Sequence, residues 1–149
     1  MCEDYASCLE GADVMITCTT GEEQFIQPRW FKPGALGIGL EGCCAYTAEA
    51  LHQADKFMVD DVALAESFDK IGRERLTSEG FPDPEFPGGM PPIHATLAEV
   101  MVGKKPGRES DHERIIAIPL GLAICDVAIA QLAYRRALKQ NIGQLFRLA

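Results

Sequence analysis

The chain predicts an α/β layer fold with a mostly parallel sheet, and three observations carry that prediction. Short apolar, β-branched runs recur along the sequence, helical patterns lie between them, and each run closes in small, polar or glycine residues. The 149 residues suit one domain, and an apolar share of 47% is enough to bury a core.

The first run, "ADVMITCTT" (Ala12–Thr20), closes in hydroxyls before Gly21 and suits a strand buried on both faces. "GALGIGL" (Gly34–Leu40) is a second strand, short and glycine-rich, "KFMVDD" (Lys56–Asp61) a third, and "RIIAIPLG" (Arg114–Gly121) a fourth. Helical patterns cover 47–54, 63–76, 95–102 and 122–140. The last is the strongest: Ile124, Val127, Ala128, Gln131, Leu132 and Ala133 are spaced as one buried stripe. Arg135, Arg136 and Lys139 sit near its end, where cations suit the helix dipole, and Asn141 and Gly143 stop it. The proline-rich 78–92 stretch has no regular period and reads as an ordered loop or lid.

Charge and cysteine usage narrow the function classes. A formal charge of −8 argues against nucleic-acid phosphates or an anionic membrane as the main partner, leaving small molecules or proteins. The sequence shows no apolar run long enough to span a bilayer and no signal peptide at its start, so the expected location is cytoplasmic. The six cysteines then read as reduced thiols, and no pair is spaced C-x-x-C, so no metal site is expected. Arg108 with Asp111 and Glu113 reads as an ion-pair network holding a loop.

Gly37, Gly39 and Gly42 spell G-x-G-x-x-G, the pattern of a dinucleotide phosphate loop. In such a loop the first glycine ends a strand of about five residues, so that the following amides meet the pyrophosphate. Pro33 and Gly34 stand too close before Gly37 for that, and the glycines must lie inside the strand itself. Glycine inside a strand marks a place where something approaches the backbone closely.

The ordered set "ADVMITCTT", "WFKPGA", "ATLAEVMVGKKPGRESDHERI" and "IPLGLAICDVAIAQLAYRRALKQNIG" resembles the ornithine cyclodeaminase/mu-crystallin family and covers nearly the whole chain. The resemblance implies a Rossmann-like NAD(P)-binding three-layer sandwich of which residues 1–149 form the C-terminal part, with the glycine-rich phosphate loop and an N-terminal substrate and dimerisation domain absent. It further implies that the complete protein binds NAD or NADP, acts on a small amino acid or imine, and is a homodimer. Thr19 matches a cofactor-contacting threonine, Gly37, Ile38, Gly39 and Leu40 the backbone lining the nicotinamide, Pro119 the cofactor loop before the last helix, and Leu120 a substrate contact. Ornithine cyclodeaminases proper carry an acid/base aspartate just beyond the glycine pair; the corresponding position here falls at or near Cys43, and Glu41 is the nearest carboxylate. Glu41 and Cys43 are therefore the candidate catalytic residues. The expected activities are an amino-acid cyclodeaminase, an imine reductase or an amino-acid dehydrogenase. The alternatives are a non-catalytic NADPH- and ligand-binding protein like the crystallin members, or a truncated product inactive on its own.

Overall fold

Five strands, β1 (Val14–Thr17), β2 (Leu36–Gly39), β3 (Lys56–Val59), β4 (Ile93–Thr96) and β5 (Ile115–Ile118), form one sheet in the order β1-β2-β5-β3-β4. Every pair is parallel. The computed structural model describes residues 2–20, 23–43, 45–67, 90–144 and 146. The four expected strands are present, each trimmed to its four most regular residues. β1 and β2 are parallel even though the described residues of their connection hold only a 3-10 turn, Pro28–Trp30, in place of a crossover helix.

The fifth strand, β4, was not expected. Its sequence Ile-His-Ala-Thr buries only Ala95 and runs into the helix Leu97–Met101 without a break, so its signal merges with the helical pattern expected from residue 95. Thr96 is the joint: it ends the strand and caps the helix. Its hydroxyl accepts from the Glu99 N–H at 3.2 Å, while the Glu99 carboxylate accepts from the Thr96 N–H at 2.9 Å.

The core lies mainly on one face of the sheet. Met15, Phe57, Val59, Ile116 and Ile118 point there and pack with Phe31, Tyr46 and Leu51. The helix Ala48–His52, capped by the Thr47 hydroxyl, covers part of this face. On the other face Met58, Ile115 and Ala117 pack under Leu97 and Val100, but Val14 and Ile16 of the edge strand β1 are exposed. The helix Ala123–Gln140 ends as expected at Asn141, whose φ of 54° is left-handed. Its expected buried stripe is absent: no residue of the helix is buried, and Ile124, Val127 and Leu132 are all more than half exposed.

The loop before β5 is held by a lysine. Lys56 opens β3 with only 6% of its surface exposed. Its Nζ donates to the Gly107 carbonyl at 2.6 Å and pairs with Glu109 at 2.7 Å and Glu113 at 3.1 Å. Arg108, expected to pair with Asp111 and Glu113, donates instead to the backbone carbonyls of Ser110 and Glu113. The cation of the network is Lys56, an assignment that its place in an apolar run concealed. Most of the expected 63–76 helix and 78–92 loop lies outside the described residues, which show helix at 62–67. Among the described residues no helix is long and apolar enough to cross a membrane.

Candidate functional site at the strand carboxyl ends

Parallel strands in register bring their carboxyl ends to one edge, where ligands of open α/β sheets gather. Thr17 is level with Gly39, and Val59 with both Ile118 and Thr96. The Leu40 N–H continues the ladder to the Thr17 carbonyl at 3.0 Å. The residues just past these ends are therefore neighbours: Thr19, Leu40 to Cys43, Asp60 and Asp61, and Pro119 to Gly121. Every site residue predicted from the sequence belongs to this edge or to the strand leading to it.

Gly37 and Gly39 lie on the core-facing side of β2, and the rings that approach them belong to this chain. A Cβ on Gly37 would stand 2.9 Å from the Phe31 ring and 3.1 Å from the Tyr46 hydroxyl. A Cβ on Gly39 would meet the Gly42 carbonyl and stand 2.8 Å from Ile118. The space on that side is thus filled by Phe31, Tyr46 and Ile118. A nicotinamide could meet β2 only at its end, where Leu40 is 52% exposed, or across its other side.

Tyr46 is completely buried, and its hydroxyl sits beside Thr17 without the geometry of a full hydrogen bond. Burial pushes its phenol far above the usual tyrosine value; Thr17 opposes the shift, and Glu41 and Cys43 add to it. The phenol therefore keeps its proton at any physiological pH. Glu41 lies in the turn after β2, and both of its carboxylate oxygens are buried. Cys43 is half-buried close by, while Thr19 is exposed and Pro119 and Leu120 are half-buried. Open surface at the strand ends beside a buried carboxylate fits a flat ring bound at the edge, with the acidic group behind it.

Asp60 and Asp61 have roles that spacing did not reveal. Asp60 Oδ2 accepts from the Gly121 N–H at 2.8 Å, and Asp61 Oδ1 accepts from the Leu64 N–H at 2.7 Å, starting the helix at 62–67. His94 and His112 lie away from this edge: His94 Nε2 is 3.0 Å from the Pro106 carbonyl, and the His112 carbonyl accepts from the Gly34 N–H. Among the described residues no group of His, Cys, Asp or Glu side chains is placed to hold a metal ion.

Comparison with known proteins agrees with this fold. The chain is 32% identical over 146 residues to the N-((2S)-2-amino-2-carboxyethyl)-L-glutamate dehydrogenase of Staphylococcus aureus, covering 98% of this chain and 41% of that protein. It superposes on the Thermococcus litoralis Δ1-pyrroline-2-carboxylate reductase, solved with NADH and L-proline, with a TM-score of 0.73 at 29% identity, covering 97% of this chain and 44% of that one. It superposes on an archaeal alanine dehydrogenase dimer with bound NAD with a TM-score of 0.72 at 28% identity, covering 99% and 44%. The chain thus spans less than half the length of these relatives. The family model for the ornithine cyclodeaminase/mu-crystallin family matches residues 1–141, nearly the whole chain, and its fold is the Rossmann-like α/β sandwich of such NAD(P)-binding proteins. By this match over nearly its whole length, the chain belongs to the ornithine cyclodeaminase/mu-crystallin family.

Proposed function

We propose that this chain carries the nicotinamide side of an NAD(P)-dependent site that oxidises or reduces a small amino acid or cyclic imine. The observation that carries the reading is the convergence of Thr19, the end of β2, Glu41 and the Pro119–Leu120 loop at one edge of a parallel sheet. It is supported by relatives that are an amino-acid-derived dehydrogenase, an alanine dehydrogenase with NAD, and a reductase holding NADH and L-proline. In this reading Thr19, Pro119 and the backbone from Gly37 through Ile38 and Gly39 to Leu40 hold the cofactor, and Leu120 meets the substrate. Glu41 takes or returns the proton at the substrate amine, with Cys43 packed beside it. The cofactor, when bound, supplies the hydride chemistry.

The phosphate-binding glycine loop and a substrate and dimerisation domain belong, on this reading, to the part of the relatives' length that the match does not reach. The working unit would be a cytoplasmic homodimer of such complete subunits, and the 149-residue chain a portion of it. Binding without turnover, as in a crystallin-like ligand-binding protein, is the second reading. It is favoured by one observation: the Glu41 carboxylate oxygens are buried, not presented to a substrate.

Mapping amide shifts of the 149-residue chain with increasing NADH tests the assignment. Shifts confined to residues 17–20, 37–43 and 119–122, with a dissociation constant weaker than about 1 mM, are expected, because a few hydrogen bonds cannot offset the cost of ordering a dinucleotide. Shifts elsewhere, or none, would sink it.

A further inference from the structure

We propose that Asp60 is a positioning residue for the loop at 119–122, and through it for the cofactor; the cofactor half of this statement rests on the reading above. The register of β3 and β5 pairs Val59 with Ile118, so Asp60 and Pro119 leave the sheet side by side. Asp60 then uses both of its oxygens on backbone amides. Oδ2 accepts from Gly121, 61 residues away in sequence, at 2.8 Å, and Oδ1 accepts from Asp61 at 2.9 Å. A carboxylate bond to an amide is stronger than a neutral one, and this one ties two strand ends across the site edge.

Leu120 packs against the core, so the Asp60 bond acts on the backbone just beyond it. Gly121 has a φ of +90° with nothing near the place where a Cβ would stand, so glycine serves here to let the backbone turn, not to make room. The helix that follows begins at Ala123, and Leu122 before it supplies no side-chain cap. The peptide preceding that helix is thus oriented by Asp60 rather than by the helix's own first turn. Asp61, next in sequence, has a separate task in starting the helix at 62–67. The adjacent aspartates divide the work: one faces the loop after β5, the other continues its own chain.

Hydrogen–deuterium exchange of the 149-residue chain distinguishes these roles. In Asp60→Ala, exchange at Gly121 and Leu122 should rise about tenfold or more, while the β5 amides Ile115–Ile118 stay as in wild type. Asp61→Ala should leave the loop unchanged. NADH, held above its dissociation constant, should slow exchange at 119–122 in wild type and fail to do so in Asp60→Ala. Wild-type exchange at Gly121 in Asp60→Ala would overturn the proposal, as would equal loosening of β5, which would mark a general loss of stability. Loosening of the loop in Asp60→Ala with no NADH protection in either protein would support the Asp60 tie and overturn its cofactor role along with the reading it rests on.

Discussion

The centre of the sheet and the terminal helix both carry large apolar side chains, which meet opposite fates. In β3 and β5 all eight residues are buried. In Ala123–Gln140 none is, although Ile124, Val127, Ile129, Leu132 and Leu138 would furnish a core. The exposed Val14 and Ile16 of β1 belong with the helix in this contrast. Apolar pattern alone states which surfaces need cover. Whether the cover is present depends on what lies alongside.

The contrast is sharpest if a core side chain is cut back. Phe57 is 2% exposed under the helix Ala48–His52 and its neighbours, and Phe57→Ala should cost about 3–5 kcal/mol, read from urea unfolding. A loss below about 1 kcal/mol would show that the sheet is no better packed than the helix.

The Lys56 tie should have a smaller, pH-bounded effect. Burial pushes the Lys56 ammonium down, but the hydrogen bonds and charges of Glu109 and Glu113 more than reverse this and raise it above 10.5. Glu113 is held below 4.5, first by the Glu109 backbone N–H at 2.8 Å, against burial, and then by Lys56. The Glu113 contribution is complete above pH 4.5 and is lost as pH falls through its depressed folded value. That of Lys56 is complete below pH 10.5 and is lost as pH rises through its raised folded value. The difference in melting temperature between wild type and Lys56→Met should therefore be constant between those limits and narrow outside both. A difference that changed steadily across neutral pH would show that another group governs the loop.

The smallest effect on stability is expected in the helix. Val127→Lys with Ile129→Glu should change the unfolding free energy by no more than about 0.5 kcal/mol while lowering self-association in sedimentation. A large destabilisation would mean that the helix packs against the rest of its own chain in solution.

The sequence showed β1, β2, β3 and β5 because each is a compact run of apolar residues bounded by turn formers. It concealed β4, whose Ile93, His94 and Thr96 are only half-buried and whose last residue is also a helix cap. Glycine spacing correctly placed Gly37 and Gly39 within a strand, but a glycine cannot announce which ring will lie against it, and those rings are Phe31 and Tyr46. The tie from Asp60 to Gly121 was likewise invisible, since its acceptor and donor come together only once β3 and β5 are side by side. A buried lysine in an apolar run was the one available signal for the loop network, and it was outweighed by the nearer Arg108.

The Lys56 tie also bears on how a protein of this kind is recognised. The stretch from Gly107 to Glu113 that it grips is part of what carries the family resemblance, yet it sits where β3 and β5 begin, at the opposite edge from Glu41 and Leu120. A sequence can therefore keep this stretch intact while the opposite edge of its sheet changes. Kinship read from that stretch reports ancestry of the scaffold.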